Sequence, residues 1–307
     1  MSSIALVDGT YMMHRSMYAS TGKLTDSQGR PTGTAYGVLQ SMRNVCNILR
    51  PRSIIFIMDA SRSKRRMELY PEYKANRKAK EMDEKAIARR EALNFSTPLL
   101  EELIPLLGMK FLKLQGQEGD DVIHLFTRIL DGYRSVVVSE DSDMIQMVRE
   151  AVHIYQPISG RYIEPGNFTS ELGYPSPAHA LLHKCLTGDS SDNITGVPGV
   201  GKKTADKIVE ITKDPELLFE TVEAYEGKAE KRIKKILEAK DIYMRNRELI
   251  DLAEQEFSEE EYEAARITLN SPASRDHNKL LDFLYEYEMT SITKDFSNWI
   301  YPFEQLR

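Results

Sequence analysis

Apolar residues gather along the first half of the chain into short, largely β-branched runs: Ile4–Val7, Ile54–Met58, Lys110–Leu114, Val136–Val138 and Val152–Tyr155. Several of these runs are nearly continuous, the pattern of strands buried on both faces of a parallel sheet. Between them the segments Ala35–Leu49, Pro98–Leu107 and Asp121–Leu130 carry apolar residues at helical spacing. Strand and helix alternate, which predicts a doubly wound α/β unit with a mainly parallel sheet.

After a loop rich in Gly and Pro, from Gln156 to Pro177, no strand is evident and helical stretches follow at Ala178–Leu186, Lys203–Ile211, Ala229–Tyr243 and Asn278–Tyr287. Two domains are expected, an α/β unit over residues 1–170 and a helical unit over 171–307. The segment from Ser63 to Arg90 is charged, helical in propensity and almost without a core stripe, so it is expected to project from the core.

Composition narrows the class. Of 307 residues, 41% are hydrophobic and 29% charged, the balance of a globular protein. No apolar run approaches the roughly 20 residues needed to span a bilayer, and the first residues lack the basic start of a secretory signal. Cys46 and Cys185 are too far apart in sequence for a zinc or disulfide framework, so a reducing, cytoplasmic setting is expected. The net charge of −6 is unevenly spread. Residues 62–90 carry a charge of +6 and residues 228–247 one of +5, whereas 254–263 hold six glutamates and no base. Screening limits such fields to about 8–10 Å, so two basic windows can meet phosphate on an acidic protein. Solvated helix faces would give the same pattern.

The acids fall where strands end. Asp8 closes the first run, Asp59 the second, and Asp141 and Asp143 follow the fourth. In an open parallel sheet the carboxyl ends of the strands form one ligand-binding edge. Glu118-Gly119-Asp120-Asp121 begins a helix that should open on the same side, although capping alone would also favour Asp there. Close carboxylates repel unless cations neutralise them, and hard oxygen donors without His or Cys suit Mg²⁺ or Mn²⁺. Two such ions about 4 Å apart are a standard device for phosphodiester hydrolysis.

The second half adds Gly188-Asp189-Ser190-Ser191-Asp192-Asn193, followed by Gly196-Val197-Pro198-Gly199-Val200-Gly201-Lys202-Lys203-Thr204-Ala205. This run is not a P-loop, since position 203 is Lys, no strand precedes it and Pro198 interrupts it. A Gly-rich turn between helices remains, with backbone N–H groups and basic side chains suited to a DNA phosphate. His179 and His183 are four apart, but Ala-Leu-Leu between them lacks the catalytic Glu of a zincin, which leaves them as helix-surface or packing residues.

Taken together, Val7-Asp8-Gly9, Asp59, Tyr73-Lys74-Ala75-Asn76-Arg77, Glu118-Gly119-Asp120-Asp121, Asp141-Ser142-Asp143, Gly188–Asn193 and the Gly196–Ala205 run resemble the 5′-nuclease (flap endonuclease) family. That family includes phage and bacterial 5′→3′ exonucleases and the N-terminal nuclease domain of bacterial DNA polymerase I. The resemblance covers residues 4–210, and Leu281–Phe296 is similar to the tail of the polymerase-linked domains. It implies a PIN-like α/β domain with a helical arch near residues 64–95, then a helical domain with a helix–three-turn–helix motif near 186–211.

The resemblance also implies roles. Asp8, Asp59, Glu118, Asp120 and Asp121 would form or support one metal site, and Asp141, Asp143, Asp189 and Asp192 the other. Lys74 and Arg77 would face the scissile phosphate and Tyr73 would stack on a terminal base. Arg15 and Arg66 would hold the 5′ strand, and Gly199, Gly201, Lys202, Lys203 and Thr204 would grip the duplex. Two Mg²⁺ ions, replaceable by Mn²⁺, and a K⁺ at the Gly-rich turn are the implied cofactors. The implied partners are branched or 5′-ended duplex DNA, RNA-primed DNA included, and replication proteins, with the chain a monomer and no membrane involved.

Four departures stand out: Gly119 where Ala is frequent, expected to be harmless; Ser142 where a base is frequent; Glu140, an extra acid beside the second site; and Tyr11, at a position usually small or polar. No polymerase domain follows, so a stand-alone enzyme is expected. The expected activity is Mg²⁺-dependent cleavage at 5′ flaps and 5′ ends of duplex DNA, removing primers or flaps in replication or repair. A PIN-like ribonuclease and a non-catalytic binder of branched DNA are the alternatives.

Overall fold

The computed structural model describes residues 3–19, 23–77, 83–130 and 132–307. The first half runs β1 (Ile4–Asp8), α1 (Gly9–Tyr18), α2 (Gly33–Leu49), β2 (Ser53–Ile57), α3 (Lys64–Leu69), α4 (Glu84–Leu106), β3 (Lys110–Leu112), α5 (Gly119–Ile129), β4 (Ser135–Val138), β5 (Val152–Gln156) and β6 (Arg161–Ile163). The six strands form one sheet in the order β3-β2-β1-β4-β5-β6, parallel except for β6. The direction of winding reverses between β1 and β4, the place where such sheets open a crevice.

Strand periodicity divides the core in two. Ala5 and Val7 of β1, Ile54 and Phe56 of β2, and Val136 and Val138 of β4 face one cluster, with Met12, Leu39, Met42, Leu100 and Leu103 from α1, α2 and α4. Leu6, Ile55, Ile57 and Val137 face the other, with Val122, Ile123 and Phe126 of α5. Successive side chains point to opposite faces, so runs apolar at every position must be covered on both.

Beyond the sheet come α6 (Phe168–Leu172), α7 (Pro177–Thr187), a two-residue hairpin of β7 (Gly188–Asp189) and β8 (Ile194–Thr195), α8 (Lys202–Ile211), α9 (Leu218–Glu223), α10 (Glu230–Ile233), α11 (Lys235–Glu238), α12 (Lys240–Ile250), α13 (Glu259–Asn270) and α14 (His277–Glu286). The sequence shows no strand after Gln156, so β6 and the small hairpin are corrections. Both are two or three residues long, too short for period-2 alternation to register. The single helix expected over Ala229–Tyr243 is broken at Lys234 and Ala239, wrapping the chain around buried Ile233, Ile236 and Tyr243.

The helical half divides its packing. Residues of α7 to α12 build a third core with Leu182, Leu186, Ile208 and Ile250. The last part returns to the sheet unit, where Leu280, Leu284, Trp299 and Phe303 join the cluster of α2 and α4. Trp299 donates its indole N–H to Gln40 Oε1 at 3.1 Å, and Arg43 Nε donates to the Trp299 carbonyl at 3.1 Å.

Of the segment expected to project, α3, a short turn of helix at Ala75–Arg77 and the first turns of α4 are described; residues 78–82 lie outside the described residues. The α4 residues Glu84, Lys85, Arg89 and Arg90 are exposed, whereas its second half buries Leu99, Leu100, Leu103, Ile104 and Leu106. Among the described residues, no helix is long and apolar enough to cross a membrane.

Leu284 is fully buried against this returning seam. Leu284→Ala is expected to lower unfolding free energy in urea by about 2–5 kcal/mol. A change below about 1 kcal/mol would show that the C-terminal helices contribute little to the sheet unit.

Candidate metal centre

Strand ends and helix starts bring the acids to one edge. Asp8 ends β1 and caps α1: its Oδ1 accepts the Tyr11 N–H at 2.8 Å, and its Oδ2 accepts the Ser139 hydroxyl, just past β4, at 2.9 Å. This ties the two strands flanking the crevice. Asp59 follows β2; its N–H donates to Thr10 Oγ1 at 2.9 Å and its Oδ1 accepts the Gly119 N–H at 2.7 Å. At the start of α5, Glu118, Asp120 and Asp121 bring carboxylate oxygens within 4.8 Å of one another, a group able to hold a metal ion. Asp141 and Asp143 open the short helix after β4, where Asp141 Oδ1 accepts the Asp143 N–H at 2.9 Å.

The β7–β8 hairpin supplies Asp189 and Asp192 from across the chain. Its loop is locked to the turn at residues 72–77: the Lys74 N–H donates to the Asp192 carbonyl at 2.9 Å, Asn193 Nδ2 to the Glu72 carbonyl at 2.7 Å, and Asn76 Nδ2 to the Ser190 carbonyl at 2.9 Å. Lys74 and Asn193 hold φ of 55° and 60°, a left-handed conformation that this mutual locking maintains. Asp120, Asp143, Asp189 and Asp192 then line one small cavity together with Arg66 and Tyr73.

Buried cations hold this charge together. Arg66 is 2% exposed and bonds Asp121 through both terminal nitrogens at 2.7 and 2.6 Å, and Glu118 at 2.9 Å. Lys74 Nζ donates to Glu118 Oε1 at 2.6 Å and lies 3.6 Å from Asp192. Arg77 bonds Asp192 Oδ1 at 2.8 Å from a half-exposed position. Lys184, on α7, bonds Asp143 and lies 2.8 Å from Asp189.

Two expectations are corrected here. Arg66, expected to hold a DNA strand, has its guanidinium sealed under the acids, with four of its five N–H groups bonded to Glu118, Asp121 and the Leu249 carbonyl. Tyr73, expected to stack on a base, is 3% exposed and donates its hydroxyl to Glu118 Oε2 at 2.7 Å, within reach of Asp192 at 3.1 Å. Glu140 does not add to the second group of acids; it accepts the Ile158 and Ser159 N–H groups of the turn before β6. The base missing at Ser142 is supplied from α7 by Lys184, which sequence reasoning missed. The available signal is a lysine in an otherwise apolar helical run, one turn before Gly188-Asp189.

The Gly-rich turn leads into α8, with Lys202 and Lys203 exposed and Thr204 buried. Gly199 has φ +77°, and a side chain there would meet Lys235 at 2.9 Å, so this turn requires glycine. Arg15 lies half-buried on α1. His179 bonds Ser176 and the Thr212 carbonyl, and His183 bonds Tyr174 and Asp206, so both tie helices together.

Electrostatics fit a hard divalent cation. Burial, then the neighbouring Asp59 and Asp141 charges, pushes the Asp8 carboxyl up to about 8; burial and Asp120 push Asp59 to about 6. Burial also raises Asp121 and Asp143. Burial acts to raise Asp189 too, but Lys184 and the Ser191 hydrogen bonds outweigh it and hold that carboxyl at about 2. The donor set is all oxygen, and its surplus of negative charge over the buried cations is what Mg²⁺ or Mn²⁺ would neutralise.

Comparisons with known proteins agree with this architecture. Residues 3–173 match the family model described as 5′-3′ exonuclease, N-terminal resolvase-like domain, and 176–273 match 5′-3′ exonuclease, C-terminal SAM fold. A 5′-3′ exonuclease of Aquifex aeolicus is 27% identical, covering 96% of this chain and 95% of the relative. A 5′-3′ exonuclease of Buchnera aphidicola subsp. Schizaphis graminum is 34% identical, covering 66% and 68%. The thermostable DNA polymerase I of Thermus aquaticus is 32% identical over 67% of the chain, which spans 24% of that polymerase. In fold, the chain is similar to the bacteriophage T5 D15 flap endonuclease solved with DNA and metal ions, with a TM-score of 0.65, 19% identity and coverage of 94% and 98%.

Because Asp8 and Asp59 take up protons on folding, the metal-free protein is expected to lose stability as pH rises from about 4 toward 8. Its Tm should fall by roughly 5 °C or more between pH 6 and pH 8.5, and Mg²⁺ should recover more of it at the higher pH. A metal-free Tm that rises over this range would contradict the burial of these acids. Gly119 has a separate consequence: a Cβ there would lie 2.8 Å from Asp59 Oδ1, the end of a rotatable side chain. Gly119→Ala is therefore expected to cost less than about 1 kcal/mol in stability while displacing the carboxylate and weakening Mn²⁺ binding severalfold. Calorimetric titration showing unaltered Mn²⁺ affinity would remove Asp59 from the ligand set.

Proposed function

The chain belongs to the 5′-3′ exonuclease family, and on that premise we propose that it hydrolyses DNA phosphodiesters at 5′ ends and at the base of 5′ flaps, using Mg²⁺ held at the carboxyl edge of the sheet. The observation that carries this reading is the meeting of Asp120, Asp143, Asp189 and Asp192, drawn from three separate parts of the chain, around one cavity, with the Lys74 ammonium bound to the adjoining Glu118.

Asp8, Asp59, Glu118 and Asp120 would hold one ion, with Asp121 supporting them through Arg66. Asp141, Asp143, Asp189 and Asp192 would serve a second, with Lys184 balancing their charge. Mg²⁺, or Mn²⁺ in its place, supplies Lewis acidity and an activated water at such a site.

The chain's own residues do the positioning. Lys74 and Arg77 flank Asp192 and would contact the scissile phosphate, where their charge offsets the negative charge that builds up. Burial alone would lower the Lys74 pKa, but Glu118, Asp192 and Asp120 outweigh it and keep the ammonium charged. Lys202 and Lys203 at the start of α8, with Gly199, Gly201 and Thr204, would hold a duplex phosphate, and a K⁺ would sit on carbonyls of that turn. Arg15 would meet the 5′ strand beside a helical arch over residues 64–95. On this reading residues 1–170 carry most of the metal-binding acids, and 171–307 contribute Asp189, Asp192 and Lys184 together with the duplex grip. The enzyme would act as a cytoplasmic monomer on flaps and RNA-primed ends during replication or repair, alongside replication proteins.

The test is cleavage of a 5′-labelled flap duplex in Mg²⁺, with EDTA and matched single strands of DNA and RNA as controls. Asp120→Asn is expected to abolish cleavage while leaving most flap binding, and Lys74→Ala to slow single-turnover cleavage by about 100-fold or more. Comparable rates in either variant would remove that residue from the mechanism, and cutting confined to single-stranded RNA would replace the substrate assignment.

A further inference from the structure

The opposite edge of the sheet carries a second cavity, of about 390 Å³, bounded by the first residues of β1, β2 and β3: Ile4, Ser53 and Lys110. Each strand advances about 3.3 Å per residue, so this edge lies roughly 13 Å from Asp8 along β1. Arg52, Leu130 and Tyr133 also line the cavity, and among the described residues that line it no side chain is a carboxylate.

Two polar groups here are short of partners. Lys110 is 9% exposed, and its ammonium donates to the Leu269 carbonyl at the end of α13. An ammonium has three donors, so capping that helix leaves two. Ser53 is 5% exposed and its Oγ has no hydrogen-bond partner among the described residues. Burial and the nearby Arg52 charge both act against the Lys110 ammonium, lowering its pKa. Buried donors left unpaired cost free energy, and an anion that accepts from them recovers it. Ile4, Leu130 and the half-exposed ring of Tyr133 add an apolar wall, and the volume is at the small end of the range for ligand sites, about 300–1,000 Å³.

We propose that this cavity binds a mononucleotide-sized ligand, its phosphate on Lys110, Arg52 and Ser53 and its apolar ring against Leu130 and Tyr133. An oligonucleotide does not fit the volume. The site is separate from the acids, and its occupancy does not depend on divalent metal.

Isothermal titration of the whole chain with deoxyadenosine 5′-monophosphate, in EDTA, tests this. Saturable binding is expected, at least tenfold weaker for deoxyadenosine, which lacks the phosphate. Arg52→Ala and Lys110→Met are each expected to weaken it at least tenfold; Arg52 is exposed, so its variant serves even if the buried Lys110 change perturbs folding. Asp120→Asn should leave it within twofold. Absence of binding, equal binding of deoxyadenosine, or loss in Asp120→Asn with retention in Arg52→Ala would overturn the assignment.

Discussion

Mutual repulsion among carboxylates is the constraint on which the rest of this structure depends. Acids from β1, β2, α5, the turn after β4 and the β7–β8 hairpin crowd one sheet edge, and without compensation they would drive it apart or take up protons. Arg66, Lys74 and Lys184 compensate from within. Arg66 and Lys74 are buried and Lys184 partly so, and each binds two carboxylates: Arg66 takes Asp121 and Glu118, Lys74 takes Glu118 and Asp192, Lys184 takes Asp143 and Asp189. Where the compensation is strongest the acid stays ionised, as at Asp189; where no cation reaches, as at Asp8, burial raises the carboxyl toward neutrality. The unevenness leaves negative charge at this edge that a divalent cation would neutralise.

The sheet topology decides which acids meet. Reversal of winding between β1 and β4 opens the crevice there, and the Ser139 hydroxyl on Asp8 holds its two sides at a fixed separation. The hairpin acids come from the other half of the chain, and their position rests on the Lys74 N–H bond to the Asp192 carbonyl and on the Asn76 and Asn193 side-chain amides bonded to backbone carbonyls across the two loops. Groups that would contact phosphate and groups that would hold metal are thus joined through main-chain carbonyls at both segments.

Much of this was legible in the sequence because it follows from periodicity and order. Runs apolar at every position announced strands covered on both faces, and acids at their ends announced the loaded edge. The ordered motifs pointed to the family whose models match the chain. What escaped were matters of direction and depth. Arg66 and Tyr73 lie in a charged, core-poor segment, so exposure was the natural expectation; only the fold turns them under Glu118. Lys184 sits inside an apolar helical run, where a lone base reads as a surface residue. Gly119 looked interchangeable with Ala because the sequence cannot show Asp59 resting over it.

The return of the C-terminal helices to the sheet has a consequence for biosynthesis. The Arg52 N–H bonds the Ser3 carbonyl at 2.8 Å, and the Arg307 N–H bonds the Arg52 carbonyl at 2.7 Å, so the first strand and the last residue meet. Every acid at the loaded edge has been made by residue 192, yet the apolar faces of α2 and α4 stay uncovered until the segment from Leu280 to Phe303 leaves the ribosome. At about 5–20 residues per second that interval lasts roughly 4–22 s. The nascent chain therefore carries its complete set of acids before the segment that covers α2 and α4 exists, so completion of the loaded edge precedes completion of the core beneath it.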